Sequence, residues 1–204
     1  MYSTKTATTN NNEFNSSYMP VGINENVTLK EVNVKKTDQG RDFLEIIFEN
    51  TQGQTATLTE WKNEKNQWIV TDEDLQRRDN QQFGRILQVI DAVKNEHPEF
   101  EGNSFAEMIN WVKAQLEPAT NPENKCQSMR LKVVYDKKGY TKVSSLGIFV
   151  EPMSVPEEQS QIKLWKNDLL ERPVQADVEK PVDPLSMNTA PVTETPTGAD
   201  DLPF

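Results

Sequence analysis

The sequence predicts a mainly β fold with an α-helical insert: five antiparallel strands curling into a small barrel, then a disordered acidic tail. Three observations carry this. Apolar residues alternate with polar ones in three stretches before residue 62 and in two after residue 126, the period of half-buried strands. Between these groups the apolar spacing lengthens to three and four residues, the period of a helix. After Pro152 the chain turns to Glu, Pro, Gln, Thr and Asp with few large apolar residues, a composition that buries too little to fold.

The first strand is "NVTLKEVNVKK", 26–36. Val27 and Leu29 share one face and Val32 and Val34 the other, so a bulge between Leu29 and Val32 is needed to keep both halves facing a core. "TDQG" turns the chain into "RDFLEIIFEN", 41–50, with Leu44, Ile46 and Phe48 on one face and Phe43, Glu45, Ile47 and Glu49 on the other. "TQGQ" leads to a third strand, "TATLTEW", 55–61. Thr71 or Asp72 then caps a helix whose apolar positions are Leu75, Phe83, Ile86, Leu87, Ile90 and Val93. A second helix, 103–116, is capped by Asn103 or Ser104, with Glu107 three residues after Ser104. Two more strands follow at 127–139 and 140–152, and "IKLWKNDLL", 162–170, reads as a short helix within the tail.

Strands in this order, with a bent first strand and helices between the third and fourth, match an OB-fold barrel. A split antiparallel sheet with helices on one face reads similarly. The domain plan is a flexible arm at 1–18, an OB-fold-like body at 19–152 and a disordered tail at 153–204.

Composition narrows the function. Hydrophobic residues make up 35% of the 204, which predicts an ordered core shorter than the chain. No apolar run reaches the roughly 18 residues of a membrane span, the opening segment lacks the order of a signal peptide, and a cytoplasmic location is expected. A single cysteine, Cys126, allows no internal disulfide, and with one histidine, His97, it makes a Cys/His metal site unexpected. His97 precedes Pro98 where a helix ends and reads as a loop residue. Neither a phosphate-cradling Gly loop nor a nucleophile elbow is present, so no catalytic residue, metal or cofactor is assigned.

The formal charge of -10 argues at first against a nucleic-acid partner. Its distribution softens that objection: residues 151–204 carry 11 acids and 4 bases, whereas residues 1–150 carry 21 and 18, so the body is near balance. On the outward strand positions of that body, bases and aromatics interleave: Lys35, Arg41, Phe43, Trp61, Lys62, Trp68, Arg130, Lys132, Tyr140 and Lys142. Cations along phosphates and aromatic faces for unstacked bases are how single-stranded nucleic acid is held without sequence preference. Single-stranded DNA is therefore the expected ligand.

The tail ends on "DDLPF", an apolar triplet after two acids. This ending, after an acidic, Pro-containing segment, resembles the C-terminal tip of bacterial and phage single-stranded-DNA-binding proteins. The resemblance covers the last five residues and the character of the tail. It implies a protein that coats and protects single strands in replication, recombination and repair. It also implies that Phe204 anchors in a partner's pocket, with Pro203 and Leu202 shaping the turn and Asp200 and Asp201 facing a basic rim. The long insert between strands three and four is more similar to bacteriophage members, and self-association is left open.

Two competing readings use other chemistry. Asp42 with Glu60-Trp61-Lys62 fits the loose acid…Glu-x-Lys pattern of metal-dependent nucleases. A recombination mediator or scaffold would use the same fold to hold proteins.

Overall fold

The computed structural model describes residues 17–121, 123–124 and 127–173. They form a sheet of six antiparallel strands with two helices inserted between the third and fourth: β1 (Gly22–Lys36), β2 (Asp42–Glu49), β3 (Thr55–Trp61), α1 (Asp72–Lys94), α2 (Phe105–Leu116), β4 (Met129–Tyr135), β5 (Thr141–Val143) and β6 (Val150–Pro152). Among the described residues no helix is long and apolar enough to cross a membrane.

The long first strand organises the sheet. Its later half pairs with β2 and its beginning with β4. The register slips between Leu29 and Glu31, where the parity of the sequence demands a bulge, and Val27, Leu29 and Val32 are all buried. A second irregularity between Asn24 and Val27 contains Asn26 at φ 54°, a left-handed conformation that Asn adopts more readily than most residues. The two interruptions bend β1 so that it serves both halves of the sheet.

The strand order is β3-β2-β1-β4-β5, with β6 also on β4. β3 and β5 approach each other, but no ladder joins them. The expected closed barrel is therefore not formed; hydrogen bonding leaves the sheet open at the β3–β5 seam. The expected fifth strand is also divided. Val133 faces Val143 and Leu131 faces Val150, so residues 144–149 make a wide excursion opposite the single residue Lys132.

The core lies on one face of the sheet. Leu44, Ile46 and Phe48 from β2 and Met129, Leu131 and Val133 from β4 are fully buried, which is the alternation read from the sequence. The helices pack on it through Ile86, Val89, Ile90, Ile109, Val112 and Leu116. Thr71 caps α1 by accepting the Asp74 amide at 3.0 Å, and Asp72, Glu73 and Asp74 fill the first turn, where acids favour the helix dipole. Ser104 caps α2 by accepting the Glu107 amide. Phe83, Phe100 and Trp111 form a ring cluster that ties the connection between the helices to both of them.

Residues 153–173, expected to lie in the tail, instead form a strap packed on the sheet. Met153 donates to the Ser128 carbonyl, Tyr135 donates to that of Leu169 at 2.8 Å, Ile162 is buried, and Arg172 Nε donates to the Gly139 carbonyl. The segment 162–170 holds no helix. At the other end, Ser17 and Met19 bracket a parallel bridge between Tyr18 and Thr55, so the last residues of the expected flexible arm are tied to β3.

Candidate nucleic-acid interface

The strand registers assemble the strongest part of the predicted site. Lys35 of β1 lies opposite Phe43 of β2, which lies opposite Trp61 of β3. One residue from each strand thus forms a row on the face away from the core. The Phe43 and Trp61 rings stack with centroids 4.4 Å apart and planes inclined by 25°. Arg41, at the end of the β1–β2 turn, holds its guanidinium 5.8 Å from the Trp61 ring centroid, within cation–π range. Trp61 remains 40% exposed.

The cations of this platform are already matched. Lys35 pairs with Glu45, Lys36 with Asp42 at 3.3 Å and Arg41 with Glu64 at 3.8 Å. Such exposed pairs contribute at most about 1 kcal/mol, so phosphates can replace these carboxylates at little cost. Lys62 follows Trp61, is exposed and has no carboxylate at ion-pair distance among the described residues. It borders an open groove of about 970 Å³ whose lining also includes Asp42, Asp79 and Glu101, a wall unfavourable to phosphate. Trp68 stands 79% exposed on a tight turn in which Asn66 Oδ1 accepts the amides of Trp68 and Ile69.

Tyr140 and Lys142 are exposed on the β4–β5 hairpin. Asp136 Oδ1 accepts the amides of Lys138 and Tyr140 at 2.8 and 2.9 Å, and Gly139 occupies the position with φ 82°. The Tyr140 amide first, then that of Lys138 and the charges of Lys142 and Lys138, hold the Asp136 carboxyl below its ordinary range despite an opposing contribution from desolvation.

Two predicted contacts are not available. Arg130 and Lys132 do project from β4 on the face away from the core, but the strap covers that face. Arg130 is buried, donating to Glu25 at 3.1 Å, Glu151 at 3.2 Å and the Val155 carbonyl at 2.8 Å. Lys132 has no solvent exposure; its ammonium donates to the carbonyls of Leu146 and Lys163 and to Asp168. Neither can reach a ligand while the strap is in place.

Glu60 is likewise occupied. Its carboxylate, buried beside the core, accepts from Arg85 Nε and Nη2 at 2.7 and 2.8 Å and from Gln82 at 2.9 Å. His97 stands exposed beside Asp91. No cluster of three His, Cys, Asp or Glu side chains suited to a metal occurs among the described residues. The tip residues Asp200, Asp201, Leu202, Pro203 and Phe204 lie outside the described residues, as does Cys126.

Other exposed residues of the same chemistry escape the sequence pattern. Lys163, Trp165 and Lys166 fall in the expected tail, yet the strap displays them on the body, with Trp165 53% exposed. The concentration of apolar residues in "IKLWKNDLL" is the signal in the sequence that this segment packs.

No family model matches the chain, and the search of curated proteins finds none similar to it.

Proposed function

We propose that the chain is a non-enzymatic single-stranded-DNA-binding protein that coats and protects DNA in replication, recombination and repair, of the bacteriophage type. The observation that carries this is the Phe43–Trp61 pair, stacked on the outward face of three antiparallel strands with Lys35 beside it and Arg41 over it. Aromatic faces on a half-exposed sheet, lined by exchangeable cations, suit unstacked bases and a phosphate backbone. Duplex DNA hides its base faces, which explains the choice of single strand over duplex.

The strand order supports an OB-type body. A bent β1 shared by β2 and β4, helices between β3 and β4, and β5 brought back beside β3 are its hallmarks. In that fold the β2–β3 face and the β1–β2 and β4–β5 loops form the oligonucleotide surface; here those elements carry Phe43, Trp61, Arg41 and Tyr140. Recruitment of replication and recombination proteins through Asp200–Phe204 completes the proposal.

The test is a titration with oligo-dT followed by tryptophan fluorescence at low and high salt. Quenching that weakens as salt rises supports DNA binding; an unchanged signal at low salt contradicts it. Retained recruitment of recombination proteins by a chain that binds no DNA favours the mediator or scaffold instead.

A further inference from the structure

The cations of the platform and those of β5 and the strap differ in one respect. Lys35, Lys36 and Arg41 each face a carboxylate, whereas Lys142, Lys163 and Lys166 are exposed with none at ion-pair distance among the described residues. These three belong to one face of the sheet. Lys132 and Val134 share the outward side of β4, and Lys142 is the cross-strand partner of Val134. The Lys163 carbonyl and the Asp168 carboxylate both sit on the Lys132 ammonium, which lays the strap over that same side. Phe43 and Trp61 occupy the corresponding outward side of β2 and β3, and β3 approaches β5. β3 and β5, the strands that carry Trp61 and Lys142, border the open seam of the sheet.

At the centre of the strap, Trp165 lies against Gly147, where an added Cβ would meet the indole Nε1 at 2.8 Å. The glycine lets the ring rest on the excursion between β5 and β6, while 53% of the residue stays exposed. The Trp165 amide donates to Asp168 Oδ2 at 2.7 Å, and Asp168 is anchored by Lys132 and Ser144. The result is an exposed aromatic on a fixed backbone, flanked by unmatched ammonium groups two residues before and one residue after it.

We propose that Trp165, with Lys163, Lys166 and Lys142, forms a second stacking station, onto which a single strand held at Phe43–Trp61 continues across the β3–β5 seam. The inference rests on the single-strand-binding function proposed above and extends its site onto the strap. Local charge favours this direction: Lys163 and Lys166 flank Trp165 with no carboxylate at ion-pair distance among the described residues, the exposed Glu157, Glu158 and Glu171 lying further along the strap in sequence, whereas the groove beside Lys62 is lined by Asp42, Asp79 and Glu101. Unmatched lysines hold counterions that phosphates displace, so each contributes to salt-dependent affinity.

The test uses the full chain, oligo-dT of about 25 nucleotides, long enough to exceed the footprint of one small fold, and two variants, Trp165→Ala and the double variant Lys163→Gln/Lys166→Gln. Loss of a base stack predicts about a fivefold or greater loss of affinity for Trp165→Ala. Loss of two phosphate contacts predicts that the slope of log affinity against log salt becomes shallower by about 1.4 in the double variant. The double variant alters only exposed side chains, so its melting temperature should match that of the unaltered protein. If the unaltered chain binds oligo-dT and the double variant binds it with the same affinity and salt slope, the second station is refuted while the parent function stands. If the unaltered chain does not bind, the parent function itself fails. A Trp165→Ala protein that sediments as a smaller species yet binds DNA unchanged would also overturn the proposal, since the patch would then join two copies of the chain.

Discussion

The ammonium of Lys132 lies 3.0 Å from Asp168 Oδ2, and neither side chain has any solvent exposure. The pair joins the middle of β4 to a strap more than thirty residues further along the chain. Every donor and acceptor around it is engaged: Lys132 has two carbonyls besides Asp168, and Asp168 has the Ser144 hydroxyl and the Trp165 amide. Removing one partner leaves an uncompensated buried charge, which typically costs about 3–5 kcal/mol. Asp168→Ala should therefore lower the urea midpoint strongly. Lys132→Met combined with Asp168→Leu should recover much of that loss, because an apolar pair leaves no charge unmatched. Equal destabilisation by the single and double variants would show that the ion pair is not what anchors the strap.

Acid should act through the same carboxylate. Desolvation pushes the Asp168 pKa up, but the Trp165 amide, the Lys132 charge and the Ser144 hydroxyl outweigh it and hold the pKa below the ordinary value. A carboxyl that ionises more readily folded than unfolded stabilises the fold fully above its unfolded pKa, near 3.9. That contribution fades as the pH falls through the lower folded value. Unfolding free energy measured from pH 6 downward should fall below about pH 4, and less steeply in Asp168→Asn. An identical acid limb in both proteins contradicts this assignment.

Truncation distinguishes the strap from the residues beyond it. A chain ending at Pro173 retains Ile162, Asp168 and Arg172 at their contacts and should melt close to the full protein. A chain ending at Pro152 uncovers Arg130 and Lys132, removes the Asp168 partner of Lys132, and should melt many degrees lower or fail to fold. Similar melting of the two truncations would mean that the strap contributes little to stability.

Much of the sheet was legible because alternation records a single buried face. β2 and β3 fall within a residue of their expected ends, and the bulge in β1 follows from the parity of Val27, Leu29, Val32 and Val34. β4 was misread for the same reason. Arg130 and Lys132 alternate with Met129, Leu131 and Val133 just as solvent-facing residues do, and a charge pattern cannot reveal that a distant segment returns to cover it. The partners that neutralise them, Glu151 and Asp168, are 21 and 36 residues away in sequence. The open β3–β5 seam was illegible too, because pairing between strands far apart in sequence, and the division of the fifth strand by the excursion at 144–149, are not encoded in local periodicity. Phe43 and Trp61 were legible as outward residues from the alternation of their strands, whereas their stacking follows from the β2–β3 register, which sets them opposite each other.

Glu60 offers a structural test of the nuclease alternative. Arg85→Ala removes two of the hydrogen bonds to a buried carboxylate and should destabilise the fold by about 3 kcal/mol. Glu60→Gln, which keeps an oxygen acceptor at that position, should be milder and leave oligo-dT binding intact. Cleavage of labelled DNA in the presence of Mg²⁺, lost in Glu60→Gln, would instead make Glu60 catalytic.

The central claim is that stacked Phe43 and Trp61 bind unpaired bases. It is tested most directly by measuring the affinity of the intact protein and of Phe43→Ala/Trp61→Ala for fluorescently labelled oligo-dT and for a duplex of equal length. The intact protein should strongly prefer the single strand. The double variant should lose about 2 kcal/mol or more of that binding, roughly thirtyfold, with its weak duplex affinity unchanged. Equal affinity of the intact protein for single strand and duplex, or undiminished single-strand binding by the double variant, would contradict the account.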